Sequence, residues 1–215
     1  MTPQEASEKS REICQLAPVV PVLVIEDAGS AADLAKALVA GGLPALEVTL
    51  RTPAALDAIK AMAEVEGGVV GAGTLVTPED VRAAKAAGAL FGVSPGATDD
   101  LLQACEDEDL PLLPGSATAS EAMRLLERGY SVMKFFPAEA SGGAAAIKGI
   151  GGPLPQISFC PTGGVSTANL NDYLRLPNVL CAGGSWVAPA SMVSAGDWSG
   201  IEKLAAEAVA LAELS

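Results

Sequence analysis

"LEVTLRT", residues 46–52, is the stretch whose reading decides the fold. Leu46, Val48 and Leu50 alternate with Glu47, Thr49 and Arg51, so a strand here sends the two sets to opposite faces. One of those faces is wholly polar. Either it meets water, as in a half-exposed antiparallel sheet, or it lines an interior. The rest of the chain decides between the two.

Short apolar runs recur on both sides of it: "VVPVLVI" from Val19, "ALEVTLR" from Ala45, "VVGAGTL" from Val69, "FGVSP" from Phe91, "LPLLPG" from Leu110, "SVMKFFP" from Ser131, "ISFCPTGG" from Ile157 and "VLCAGGS" from Val179. Ala- and Leu-rich stretches with helical spacing lie between them. "TPED" at Thr77 opens one such helix with an N-cap, a proline at the first position and acidic residues in the first turn, and Gly88 closes it. "STAN" and "GDWSGIEKL" look like later helix starts, and the Ala-rich tail from Ile201 reads as an amphipathic helix.

Eight strand-then-helix units imply a parallel sheet, because strands joined by helical crossovers run the same way. A (β/α)₈ barrel uses all eight. The alternative, a doubly wound open sheet, would more often show five or six strands and a G-x-G-x-x-G first turn, which "EDAGSAAD" does not supply. No linker or composition shift divides the chain. Residues 1–215 therefore read as α/β class, a single-domain (β/α)₈ TIM barrel with an extra N-terminal helix. Both faces of every strand are covered in such a fold, so Glu47, Thr49 and Arg51 are expected to line the barrel while Leu46, Val48 and Leu50 pack against helices.

With 50% hydrophobic residues in 215, the chain can bury a substantial core. Its 26 acidic against 13 basic residues give a net charge of −13, which opposes nonspecific attraction to nucleic acid or a membrane surface. An anionic ligand would need local positive potential from a few side chains and backbone N–H groups. Cys14, Cys105, Cys160 and Cys181 form no C-x-x-C pair and read as packing residues. "MTPQEASEKSREICQ" lacks an apolar signal region, so reduced thiols and a cytoplasmic location are expected. "EDED" from Glu106 reads as a solvated helix end. Histidine is absent, which removes Ser-His-Asp and Cys-His catalysis and the commonest catalytic zinc sites.

In barrel enzymes the site lies at the carboxyl ends of the strands. The polar groups expected there are Glu47 and Arg51 on the second strand, Thr74 in "GAGT", Ser94 and Pro95 in "VSPG", Lys134 on the sixth, and the ends "PTGG" and "AGGS". Lys134 is the most informative. Val132, Met133, Phe135 and Phe136 surround it, burial disfavours a charged ammonium, and an uncharged amine is a nucleophile toward a carbonyl. A structural lysine, snorkelling to the mouth or paired with Glu47, is the plainer reading. Arg51 suits a carboxylate through its planar fork, and Glu47, deeper, suits proton transfer beside Lys134; a buried polar layer would satisfy both without catalysis. Thr74 alone is no more than a helix cap. "TGGVST" (162–167) and "AGGSW" (182–186) place paired glycines after the last two strands, where such barrels recurrently hold phosphate.

Taken in order, "LEVTLRTP", "GAGT", "VSPG", "KFFPAE", "FCPTGGV" and "GGSW", spanning about Pro18 to Pro189, resemble the class I 2-keto-3-deoxy-6-phosphogluconate (KDPG) aldolases. The resemblance implies a homotrimer of (β/α)₈ barrels that needs no cofactor or metal. It implies cleavage of KDPG to pyruvate and glyceraldehyde 3-phosphate in the Entner-Doudoroff pathway, often with 4-hydroxy-2-oxoglutarate as a second substrate. By matching motif, Lys134 would form the Schiff base and Glu47 act as general acid and base. Arg51 and Thr74 would hold the pyruvyl carboxylate, Pro95 and Phe136 would shape that pocket, and Gly163, Gly164, Gly184 and Ser185 would bind phosphate. Thr162 matches the position that contacts the substrate hydroxyl, where the related galactonate aldolases tend to be apolar, so it leans toward the gluconate series. Two other functions remain open. One is a sugar-phosphate isomerase or epimerase with Glu47 as base and Lys134 as an electrostatic clamp; the other is a phosphosugar-binding protein without catalysis.

Overall fold

The computed structural model describes residues 1–212. It opens with α1 (Pro3–Cys14), followed by β1 (Val19–Leu23), α2 (Ala31–Ala40), β2 (Ala45–Thr49), α3 (Ala55–Ala63), β3 (Val69–Gly73) and α4 (Pro78–Ala86). Next come β4 (Phe91–Val93), α5 (Asp99–Asp107), β5 (Leu112–Leu113), β6 (Gly115–Ser116), α6 (Ala119–Arg128), β7 (Val132–Phe135) and α7 (Gly143–Gly151). The chain finishes with β8 (Ser158–Pro161), α8 (Leu170–Leu174), β9 (Ala182–Gly184), α9 (Ala190–Ala195) and α10 (Trp198–Ala212). Helix boundaries follow local chemistry. Thr77 accepts from the Asp80 N–H at 3.2 Å while the Asp80 carboxylate accepts from the Thr77 N–H at 2.9 Å, a reciprocal cap that starts α4.

Every strand pairing is parallel. One curled sheet runs β5-β4-β3-β2-β1-β9 and a second runs β6-β7-β8. Pro114 separates β5 from β6, and its carbonyl accepts from the Lys134 N–H at 2.9 Å. The apolar run "LPLLPG" is thus two short strands, because a proline gives the ladder no N–H. On the other side, parallel bridges Phe159↔Val179 and Thr162↔Gly183 connect β8 to the β9 segment. The result is an α/β, TIM-like fold with its parallel strands curled around an interior.

Period-two alternation divides the core. Leu46, Val48, Met133, Phe135 and Phe159 belong to the larger cluster between strands and helices. Val20, Ala45, Phe91, Val93, Leu113, Val132, Cys160 and Cys181 form a separate inner cluster. Helix α1 closes the lower end of that interior. Its Cys14 joins the inner cluster, Ser10 donates to the Leu112 carbonyl at 3.1 Å, Ser7 accepts from the Ser131 N–H at 2.9 Å and Arg11 donates to Ser158 at 3.1 Å. All four cysteines are buried and free.

Two expectations change. The alternation anticipated through Arg51 stops at Thr49. There the Leu50 N–H makes the last ladder bond, to the Gly73 carbonyl at 2.8 Å, and the Arg51 N–H then turns back to the Thr49 carbonyl at 2.8 Å, which leaves Arg51 outside β2 and exposed. Nor is "EDED" wholly solvated. Glu106 accepts from Arg128 Nε at 2.8 Å and from the Tyr130 hydroxyl at 3.2 Å, because the end of α6 and the residues just before β7 reach it.

Candidate active site

Strand β2 sends Glu47 inward, and β7 does the same for Lys134 from across the interior. Lys134 Nζ lies 3.3 Å from Glu47 Oε1 with the two side chains 7% and 3% exposed. The Phe136 ring sits 5.0 Å from the same nitrogen, in cation–π range. Burial pushes the Glu47 carboxyl above its ordinary value and the Lys134 charge opposes that shift, so the carboxyl is suited to carry a proton at mild acidity. Glu47 also needs space, which Gly73 supplies: a Cβ there would overlap the carboxylate. Two residues earlier on the same strand, a Cβ at Gly71 would strike the Phe91 ring.

Thr74 follows Gly73 with φ of +62°, a left-handed conformation that costs a β-branched residue about 1–3 kcal/mol. Its half-buried side chain stands at the carboxyl end of β3, beyond Glu47. Thr49, fully buried, donates to the Leu23 carbonyl at 2.8 Å and accepts from Arg51 Nε at 3.1 Å. The strand end thus reaches Arg51 although Arg51 has left the strand. Pro95 is half-buried just past β4, and Phe136 just past β7.

The paired-glycine turns meet. The Thr162↔Gly183 bridge joins the ends of β8 and β9, and a Cβ at Gly183 would overlap the Thr162 side chain. Gly163 and Gly164 adopt φ of +98° and +82°, open to glycine without strain. Among the described residues the N–H groups of Gly163, Gly164 and Ser185 donate to no protein acceptor, whereas the carbonyls of Thr162, Gly163 and Gly164 are taken by Ala138 N, Glu139 N and Asn169 Nδ2 at 2.8, 3.1 and 3.1 Å. A turn with bound carbonyls and free N–H groups suits an anion. The Tyr173 hydroxyl donates to the Glu139 carboxylate, and a Cβ at Gly164 would overlap the Glu139 side chain. Gly184 leaves room for the Trp186 ring, and Ser185 is exposed. Thr162 Oγ1 is buried with no hydrogen-bond partner.

The candidates read from the sequence therefore fall at one end of the fold, the carboxyl ends of the strands. Ser94 is the exception in direction: Val93 before it belongs to the inner cluster, so alternation turns Ser94 outward, where it is fully buried. Residues given no role beforehand are Thr49, Gly73, Glu139 and Tyr173. A signal existed for Gly73, since a strand whose inward positions are both glycine must be filled from its neighbours. None existed for Tyr173, which reaches Glu139 from 34 residues away.

A parallel TIM-like fold with a buried amine–carboxylate pair and turns with free N–H groups holds the groups that an imine-forming aldolase, a carbon–carbon lyase, requires. The chain belongs to the KDPG and KHG aldolase family, whose sequence pattern matches residues 10–204. The 2-dehydro-3-deoxy-phosphogluconate aldolase of Pseudoalteromonas atlantica is 56% identical over 202 residues, covering 94% of each chain. The KHG/KDPG aldolase of Escherichia coli K12 is 51% identical over 206 residues, 95% of this chain and 97% of that one. The crystal structure of the Zymomonas mobilis ZM4 KDPG aldolase with 3-phosphoglycerate superposes with a TM-score of 0.91 at 48% identity, over 95% of this chain and 97% of that one. The Legionella pneumophila KDPG aldolase, with pyruvate captured as a covalent carbinolamine, gives a TM-score of 0.90 at 44% identity over 93% and 97%.

Proposed function

We propose that the chain cleaves KDPG to pyruvate and D-glyceraldehyde 3-phosphate through an imine on Lys134, and cleaves 4-hydroxy-2-oxoglutarate to pyruvate and glyoxylate by the same route. The buried 3.3 Å contact between Lys134 Nζ and Glu47 Oε1 carries this reading. Proton transfer from Lys134 to Glu47 leaves a neutral amine, which adds to the C2 ketone. The Glu47 proton goes to the carbinolamine oxygen, which departs as water, leaving a protonated imine beside the C3–C4 bond. Glu47, through a water, takes the C4 hydroxyl proton; the C3–C4 electrons move onto the imine nitrogen and the aldehyde leaves. Return of the proton to C3 of the enamine and hydrolysis of the imine release pyruvate and restore the amine.

In this reading Arg51 and Thr74 hold the pyruvyl carboxylate, and Pro95 and Phe136 wall that pocket. The free N–H groups at Gly163, Gly164 and Ser185, with the close approach allowed at Gly184, take the phosphate and supply the local positive potential that a net charge of −13 makes necessary. Thr162, whose buried hydroxyl has no protein partner, takes a substrate hydroxyl, which favours the gluconate over the galactonate series. The pairings across Pro114 and at Thr162↔Gly183 support one closed (β/α)₈ barrel spanning residues 1–215 as a single domain. We place it as a cytoplasmic homotrimer in the Entner-Doudoroff pathway; the four free thiols suit a reducing compartment, and the trimer and the pathway are what the resemblance to KDPG aldolases implies.

Borohydride reduction in the presence of pyruvate tests the chemistry. Peptide mass spectrometry is expected to find the reduced adduct on Lys134, and Lys134→Met is expected to lose both the adduct and turnover. Cleavage with an unmodified Lys134 would overturn the mechanism.

A further inference from the structure

We propose that Thr49 is a positioning residue that aims the Arg51 guanidinium at the substrate carboxylate; this rests on the reading of Arg51 as the carboxylate anchor. Thr49 ends β2 on the same inward face as Glu47 and is 1% exposed. Its hydroxyl has a single hydrogen, which donates to the Leu23 carbonyl of the neighbouring strand at 2.8 Å. With that hydrogen committed, Oγ1 presents a lone pair, and Arg51 Nε donates to it at 3.1 Å. The Thr49 carbonyl also receives the Arg51 backbone N–H at 2.8 Å, so one residue holds both ends of the arginine.

The consequence follows from guanidinium geometry. Its five N–H donors lie in one plane, so fixing Nε fixes that plane while leaving the Nη edge for a bidentate carboxylate. Among the described residues those Nη groups donate to no protein acceptor. Arg51 lies past the strand end and is exposed, so without Thr49 the side chain would have to be ordered by the ligand at each binding event. Because the hydroxyl is anchored on the Leu23 carbonyl, the anchor's direction is tied to the β1–β2 register, in which Leu23 pairs with Val48.

The test is the pyruvate concentration that half-saturates borohydride trapping in the full chain, measured for wild type, Thr49→Val, Thr49→Ser, Arg51→Leu and the Thr49→Val/Arg51→Leu double variant. Losing a hydrogen bond to a charged group predicts an increase of about tenfold for Thr49→Val, with a smaller change in kcat on KDPG and recovery in Thr49→Ser. Arg51→Leu should raise the value further, and adding Thr49→Val to it should change nothing more, since Thr49 then has nothing to aim. An unchanged value for Thr49→Val, or an equal increase in the Arg51→Leu background, overturns the inference while leaving Arg51 as the anchor. An unchanged value for Arg51→Leu overturns the anchor reading itself. Should Thr49→Val fail to fold, Thr49→Cys, with a weak donor and acceptor of similar size, is expected to move the value in the same direction.

Discussion

The lower and upper halves of the interior are built from the same strands yet do opposite things. Ala45 on β2, Val132 on β7 and Cys160 on β8 face inward at the bottom and pack with Phe91, Val93 and Leu113 against α1. Two residues further along each strand the inward positions are Glu47, Lys134 and Thr162. Strand β3 contributes a glycine to each level, Gly71 clearing space for the Phe91 ring and Gly73 for the Glu47 carboxylate. Alternation along a strand thus decides which way a side chain points, and height along the strand decides whether it packs or reacts. An apolar floor also surrounds the Lys134–Glu47 pair from below with a low-dielectric layer, which strengthens its electrostatics.

The sharpest way to break this contrast is at Glu47. Glu47→Gln keeps the shape while removing the base, and kcat/KM should fall roughly 10²- to 10⁴-fold. In the wild type the working base is the ionised carboxylate. Burial raises its pKa above 4.5, so kcat/KM should decline with falling pH around a midpoint above that value, and Glu47→Gln should lack this limb. A pH profile with its acid limb at or below 4.5 would refute the desolvated-base picture.

Phe91→Ala tests the floor. Removing the ring from the inner cluster should cost about 3–5 kcal/mol in urea unfolding while leaving kcat/KM near wild type under native conditions. A large loss of activity with little loss of stability would mean that the two levels are not separable. The smallest effect concerns the thiols. All four thiols are buried out of reach of the reagent, and burial also pushes the Cys105 thiol up to about 12, so Ellman's reagent should find almost no reactive thiol in the native chain and four after guanidinium. Rapid reaction of a thiol in the native state would show that the floor opens.

Much of this was legible in the sequence because it rests on short-range spacing. The eight apolar runs announced parallel strands and helices, "TPED" marked where α4 begins, and period two placed Glu47 and Lys134 indoors. The same rule failed at Arg51. After the last ladder bond to Gly73, the Arg51 N–H turns back to the Thr49 carbonyl and ends β2, and no pattern within "LEVTLRT" announces that turn. Glu106 was misjudged for the same reason, since Arg128 and Tyr130 lie beyond the helix that carries it.

By itself the sequence determined the element types, the direction each inward residue takes and the chemical groups available, since these follow from the backbone period and the covalent order of side chains. Only the tertiary structure decided that Lys134 lies against Glu47, that Thr49 grips Arg51, that the two glycine turns touch and that α1 seals the floor. Those contacts depend on strand register and on the curl of the sheet, which bring together residues distant along the chain and have no local signature.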